Sequence, residues 1–227
     1  MPSCTLHVNP SNPLYFREAA VICCVAFAGD AMDLWTSSNP DTPVPEKAED
    51  LLVRRLSKQI RDVKHHQLEP NIITVMATLE DHVAGLAVWR VLGRRETFLQ
   101  WMYRKVVGFY DAWQDWLFPR TWVKKDRIKL ERRLGVENIK KYVEQDTWVL
   151  EKFAVHPQYQ KEGVGTALLT WGTERAQAEG KKIFLRSSYV GRPFYLKRGF
   201  EEIGYYTIPG DEEDIRVSCM LWSPACN

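Results

Sequence analysis

The sequence predicts an α/β (α+β) protein: a mixed, mostly antiparallel central sheet flanked by helices on both faces. Three observations carry this. Strand-type and helix-type runs follow the order β-α-α-β-β, then two helical runs, then β-α-β-α-β-β. Asn71–Leu79 and Val83–Leu92 are β-rich around Glu80-Asp81-His82, a hairpin pattern. Trp148–Val155 runs through a two-glycine turn into a helical stretch. A length of 227 residues suits one sizeable core, so a single domain over residues 1–227 is expected.

Leu6–Val8 reads as a short strand. Pro13 opens a helix to about Phe27, because helices accept proline in their first turn. Asp30–Glu46 reads as a loop, interrupted by Pro40, Pro43 and Pro45. Glu46 to about His65 reads as a helix, with Leu52, Leu56, Ile60 and Val63 at helical spacing. Residues 94–146, after the hairpin, form a helical insertion. In its first half, Phe98, Trp101, Met102, Phe109, Trp113, Trp116 and Leu117 roughly follow one helical stripe. That stripe either packs on the core or covers a substrate groove. Lys124–Leu134 is a second helix, and Gly135 suits its end.

From Trp148 the pattern tightens. A helix over Thr166–Gln177 turns Ala167, Leu168, Trp171 and Ala178 inward and stops at Gly180. Ile183–Ser187 is a buried-type strand. Pro193–Arg198 is a short helix ended by Gly199. Glu202–Ile208 and Asp214–Trp222 form a closing antiparallel pair around Pro209-Gly210-Asp211.

Composition narrows the function. Apolar content of 45% and charged content of 26% are those of an ordinary soluble domain. A net charge of +2 is too small to argue for nucleic acid. The basic cluster between Arg120 and Arg133 is either a solvated helix face or a surface for an acidic partner or for phosphates. No stretch has the apolar length of a membrane span. The 5 cysteines are odd in number and lack paired metal-ligand spacing. Reduced thiols and no metal site are therefore expected. Cys23 and Cys24 are adjacent, so their side chains diverge on a helix. No basic segment followed by an apolar core opens the chain, so a cytoplasmic protein is expected. Cys226 is penultimate, the wrong place for prenylation.

The most informative segment is Gln160-Lys161-Glu162-Gly163-Val164-Gly165-Thr166. Two glycines between a strand and a helix let backbone N–H groups approach a phosphate, and the positive helix end favours that charge. A P-loop requires Lys-Ser or Lys-Thr after its last glycine; here Thr166-Ala167 follows Gly165. A dinucleotide fingerprint requires a third glycine at position 168, which is Leu.

The wider context resembles the GNAT superfamily of acyl-CoA-dependent N-acetyltransferases from Trp148 to Tyr205. The strand Leu150-Glu151-Lys152-Phe153-Ala154-Val155-His156-Pro157 is followed by Gln160-x-x-Gly163-x-Gly165, similar to the family's pyrophosphate loop. Gly191-Arg192-Pro193-Phe194-Tyr195-Leu196-Lys197-Arg198-Gly199-Phe200 is similar to its Tyr-x-Lys-x-Gly-Phe segment. The aromatic insertion resembles the fungal branch of the superfamily.

The resemblance implies acetyl-CoA (coenzyme A) as cofactor and residues 148–206 as the cofactor-binding core. It places the pantetheine arm on backbone groups of Phe153, Ala154 and Val155, with the Val155 N–H polarising the thioester carbonyl. The pyrophosphate falls on N–H groups of Lys161, Gly163, Val164, Gly165 and Thr166, with Gln160 as the loop's motif side chain. Ser188 stands where many relatives carry an Asn that contacts the arm, and Glu162 where a basic or small residue is common. Tyr195 is implied as the proton donor to the leaving thiolate.

Glu151 is the candidate general base. Strict alternation puts it on the same face as Phe153 and Val155, where it takes the amine's proton or pairs with a basic residue. His156 adjoins the strand end in what also reads as an ordinary turn, and His7, His65, His66 and His82 have no assigned role. The implied reaction is acetyl transfer to a primary amine, here of a small molecule, since Trp35–Pro45 and Phe98–Trp122 supply aromatic walls. Alternatives are a silent acyl-CoA-binding module, or the same fold running other chemistry on a metabolite. Neither nucleic acid nor membrane is expected as a partner, and the chain is a monomer or homodimer.

Overall fold

Glu80 and Asp81 both take left-handed backbone angles, φ 50° and 67°, which a two-residue hairpin turn needs. They join β2 (Ile72–Leu79) to β3 (His82–Val91). In this computed structural model the described residues are 4–27, 30–37, 56, 59–60, 69–93, 97–117, 124–144, 146–211 and 213–225. Both hairpin strands are buried almost throughout, as strands covered on two faces must be.

The other elements are β1 (Thr5–Val8), α1 (Pro13–Ala26), α2 (Ala31–Ser37), α3 (Phe98–Leu117) and α4 (Lys125–Tyr142). There follow β4 (Trp148–Val155), a 3₁₀ turn (Pro157–Tyr159), α5 (Val164–Ala178), β5 (Ile183–Ser187), α6 (Arg192–Leu196), β6 (Glu201–Ile208) and β7 (Ile215–Trp222). The strands form one seven-stranded sheet in the order β1-β2-β3-β4-β5-β7-β6. Every neighbouring pair is antiparallel except β4–β5. The expected mixed, mostly antiparallel sheet is therefore present.

Helices cover both faces. α5 packs with Val75, Ala77, Trp89, Trp148 and Leu150 on one face. α1 packs on the other against Met76, Leu86, Val88 and Ala154. α2 and α4 cover the β5–β7–β6 end of that second face, around Trp35, Val149, Phe184 and Cys219. α1 begins where expected: Pro13 sits in its first turn and the Asn12 side chain accepts from the Leu14 N–H at 3.0 Å. Among the described residues, no helix is long and apolar enough to cross a membrane, and no group of three or more His, Cys, Asp or Glu is placed to hold a metal ion.

Four sequence expectations differ from the structure, and a fifth lies mostly outside the described residues. Ala31–Ser37 is helical rather than loop, because Asp30 accepts from the Met32 N–H at 2.9 Å and the interrupting prolines come later. The helix expected over Glu46–His65 lies mostly outside the described residues; Leu56, Gln59 and Ile60 are helical. Gly135 does not end α4, which continues to Tyr142. Instead Gly135 is buried, and a Cβ there would meet Arg186 Nη1 at 2.3 Å. The missing side chain admits the guanidinium, which donates to Glu131 Oε1 at 2.8 Å and to the Tyr206 hydroxyl at 3.2 Å.

The inward face of α5 is Val164, Leu168, Leu169, Gly172 and Ala176, whereas Ala178 is exposed. Finally, the aromatic stripe of α3 does not pack on the core. Phe98, Phe109 and Trp116 are 72%, 76% and 76% exposed.

α5 approaches the sheet closely at Gly172, where a Cβ would lie 2.1 Å from Trp89 Cζ2. That ring is fully buried and cannot step aside. Gly172→Ala is expected to lower stability by about 1–3 kcal/mol through overpacking. Trp89→Phe in the same chain should recover part of that loss. Denaturant melts of the two variants check this, and an unchanged midpoint for the single variant would contradict it.

Candidate functional site

β4 pairs with β5 only at Trp148–Ile183, Val149–Phe184 and Leu150–Leu185. Beyond Leu150 the two strands part, while β4 stays paired with β3 through Val155. The parting coincides with a bulge. Leu150 pairs with Trp89 and Lys152 with Val88, so Glu151 is the extra residue on β4.

The bulge shifts the side-chain alternation by one residue. Phe153 and Val155 join Trp148 and Leu150 on the α5 face, and Ala154 joins the α1 face. Glu151 is carried to the face opposite Phe153 and Val155, against the expectation from strict alternation. There Arg90 donates to both of its carboxylate oxygens, from Nε to Oε1 and from Nη2 to Oε2 at 3.3 Å. Arg90 Nη1 also donates to Glu69 at 3.0 Å. Next to this group, Lys152 Nζ donates to Gln59 Oε1 at 3.1 Å.

The hydrogen-bond phase of β4 decides which main-chain groups border the parting. The His156 N–H donates to the Ala84 carbonyl at 2.9 Å. In an antiparallel pair these bonds come at every second residue, so Ala154 turns its N–H and C=O toward Leu86 in β3. Phe153 and Val155 turn theirs away, toward the side β5 has left. Of the three strand residues expected at the pantetheine arm, Phe153 and Val155 thus present main-chain groups there and Ala154 does not.

The glycine turn lies at the mouth of this cleft. Gln160 is extended (φ −67°, ψ 147°) and its N–H donates to the Pro157 carbonyl at 3.3 Å. Lys161 and Gly163 are left-handed, φ 70° and 84°, which costs glycine little. A Cβ on Gly163 would meet nothing within 4 Å, so the space beside it is clear. Gly163 caps α5, and the N–H groups of Val164, Gly165 and Thr166 open the helix, the positions helices leave without internal partners. Val164 itself is buried and wedges the turn against the sheet. Gly165 lies where a Cβ would touch the Phe194 ring at 3.4 Å and Phe153 Cζ at 3.6 Å. A cluster of N–H donors at a helix N-terminus, with a glycine gap beside it, fits a diphosphate.

α6 brings Tyr195 to the cleft. Tyr195 is buried, with its ring centroid 6.0 Å from Phe153, 5.2 Å from Phe194 and 5.7 Å from Phe200. Burial pushes its phenol well above the usual value, so it stays protonated at neutral pH. α6 is tethered by Glu202 of β6, which accepts from Arg192 Nε and, at 2.6 Å, from Arg216 Nη2. Those bonds, Arg216 first, hold the Glu202 carboxyl below the usual carboxylate range. Ser188, just after β5, forms the turn before α6: its Oγ accepts from the Gly191 N–H at 3.4 Å and its carbonyl from the Arg192 N–H at 3.1 Å.

Residues 118–202 match the acetyltransferase (GNAT) domain family. Over those residues the chain resembles a GNAT acetyltransferase domain. A protein named "Acetyltransferase" from the fungus Stachybotrys chartarum is 42% identical to this chain over 66 residues, 29% of this chain and 28% of that protein. The matched segment thus spans under a third of that relative. Among solved structures, a histone acetyltransferase HPA2 and related acetyltransferase from Corynebacterium glutamicum superposes with a TM-score of 0.60 at 20% identity, covering 100% of this chain and 99% of that one. The ribosomal-protein-S18-alanine N-acetyltransferase from Escherichia coli superposes with a TM-score of 0.51 at 12% identity, covering 99% and 96%. At these identities the likeness is one of fold.

Two further side chains, Arg90 and Arg198, bear on this region without having been assigned a role from the sequence. Arg90 takes up Glu151, and nothing in strand spacing marks it. Arg198 lies at the start of α5: Nη2 donates to Thr166 Oγ1 at 2.6 Å, Nη1 to the Phe194 carbonyl at 2.9 Å, and the guanidinium sits 3.7 Å from the Phe194 ring centroid. Its position between Lys197 and Gly199, in the segment that resembles the family's Tyr-x-Lys-x-Gly-Phe run, was the available signal. A separate shallow groove of about 530 Å³ runs along the outer side of α5 past Leu6, Trp171 and Glu174. It touches the cradle only at Gly163 and Thr166, and the chemistry-bearing groups lie in the parting of β4 and β5 instead.

The buried phenol implies an alkaline dependence. Because folding raises the Tyr195 pKa above 10.0, its neutral form contributes fully below that pH. Above it, the unfolded phenol ionises first and the contribution is lost. Cys219 acts the same way from a lower start, its thiol pushed by burial from 9.0 to about 11. Tyr195→Phe should therefore flatten the stability loss above pH 10 and leave the loss between pH 9 and 10 in place. Denaturant midpoints of both proteins across pH 8–12 check this; parallel curves would refute it.

Proposed function

We propose that the chain is an acetyl-CoA-dependent N-acetyltransferase acting on the primary amine of a small molecule. The observation that carries this reading is the continuous path of main-chain groups from Phe153 and Val155 to the N–H cluster opening α5. An extended arm added beside β4 finds the N–H and C=O of Phe153 and Val155, as in strand addition to a sheet edge. The diphosphate at its end meets the N–H groups of Lys161, Gly163, Val164, Gly165 and Thr166, beside Gln160.

Bound acetyl-CoA supplies an activated acetyl thioester. The Val155 N–H is proposed to donate to its carbonyl oxygen, where negative charge grows in the transition state; one such donor is worth about 2.7–4 kcal/mol. The Tyr195 phenol is proposed to donate to the departing sulfur. Held neutral by burial, it gives a hydrogen bond throughout the working pH range; as the sulfur takes the phenol's proton, the proton shed by the acylated nitrogen returns to the phenolate through water, so the transfer runs from amine to thiol overall.

Glu151 is proposed to act indirectly. With both oxygens engaged by Arg90 and on the opposite face, it fixes the bulge that opens the cleft, and the acceptor amine arrives already neutral. The acceptor's class is drawn from the exposed aromatic side chains of α3, which suit a partly apolar ligand. Ser188 is proposed to close the far end of the arm's path.

Free-thiol release from acetyl-CoA, measured over a panel of primary amines, tests the reading. Amine-dependent release supports it, whereas tight binding with no release on any amine would make the chain a silent acyl-CoA-binding module. Tyr195→Phe should lower kcat about 10²-fold with acetyl-CoA affinity nearly unchanged. Val155→Pro removes an N–H that the β3 ladder does not use, so the chain should still fold while kcat falls about 10²–10³-fold. Wild-type turnover in either variant removes that residue from the mechanism.

A further inference from the structure

Arg198 is a cation placed at the positive end of a helix. Thr166 is the third residue of α5, and the Arg198 guanidinium donates to its hydroxyl at 2.6 Å. The helix macrodipole opposes a positive charge at this end. The side chain is nevertheless fixed, stacked on Phe194 with its centre 3.7 Å from the ring centroid and bonded to the Phe194 carbonyl at 2.9 Å. Its Nε is buried and finds no hydrogen-bond partner among the described residues, a further cost in the protein alone. A group held at cost against an unfavourable field fits a ligand that reverses the field, and an anion on the α5 N–H cluster does so.

Resting on the acyl-CoA reading above, we infer that Arg198 is a specificity-determining residue that makes the cleft select the phosphorylated carrier over its pantetheine part. It acts in two ways. Its charge neutralises the diphosphate on the cradle. Its hydrogen bond also occupies a lone pair of Thr166 Oγ1, which turns the Thr166 O–H outward as a donor to the same anion. Phe194 holds the guanidinium plane in place through stacking and contacts Gly165 of the cradle. Arg198 meets Tyr195 through its main-chain N–H, which donates to the Tyr195 carbonyl at 2.9 Å, and a side-chain substitution leaves that bond and the chemistry at the thioester in place.

The test compares two acetyl donors, acetyl-CoA and S-acetylpantetheine, which lacks every phosphate. Arg198→Gln should weaken acetyl-CoA binding about tenfold and flatten its salt dependence, while kcat/KM for S-acetylpantetheine stays within about twofold. Arg198→Lys keeps the charge without the fork and should fall between. It also serves if Arg198→Gln does not fold, as read from its melting curve. Equal losses on both donors would make Arg198 merely structural, and unchanged acetyl-CoA affinity in a folded variant would overturn the assignment. A wild-type chain that binds no acetyl-CoA would instead remove the acyl-CoA reading itself, and the role of Arg198 with it.

Discussion

The parting of β4 from β5 after Leu150 is the constraint on which the rest of the molecule depends. A parallel neighbour that continued alongside β4 would take up the main-chain groups of Phe153 and Val155 and leave a closed sheet. Pairing instead stops after three residues, and the bulge at Glu151 turns the end of β4 out of phase with its start. The same extra residue sends Phe153 toward α6 and Ala154 toward α1. Arg90 stabilises the bulge by engaging the carboxylate that it displaces.

Around that parting, the packing fixes the distances. Gly85 lets α5 approach β3, since a Cβ there would lie 2.9 Å from the Ala154 carbonyl oxygen and 3.0 Å from Val164 Cγ1. Gly172 does the same over Trp89. α5 is therefore seated by two missing side chains, and its first turn meets the end of β4. α6 is set from the other side by the Arg192–Glu202–Arg216 group, which joins it to β6 and β7.

Much of this was legible in the sequence. Trp148–Val155 and Ile183–Ser187 are apolar runs bounded by turn residues, and both strands fall on those residues. The positions of the strand-to-helix turn over residues 160–163 and of the short helix carrying Tyr195 were legible because residue spacing, not packing, defines them. What failed depended on contacts between distant segments. Period-two alternation carries no sign of a bulge, so Glu151 was placed on the wrong face. Gly135 looks like a helix stop until Arg186, fifty-one positions on, is seen to need its space. The aromatic spacing of α3 resembles a core stripe, yet which helix stripes find a partner is decided by topology, and among the described residues no α3 side chain belongs to any of the three clusters.

The division of the tryptophans has an optical consequence. Trp89 and Trp148 are buried with ring centroids 6.0 Å apart, and Trp171 lies 6.2 Å from Trp148. Trp101, Trp113 and Trp116 stand in solvent on α3. Among the described tryptophans, emission therefore has a blue-shifted part, from the neighbouring Trp89, Trp148 and Trp171 and from the buried Trp35, and a red-shifted part open to aqueous quenchers. Iodide or acrylamide would silence the second and leave a fluorescence signal dominated by the rings buried around the sheet, α5 and α2.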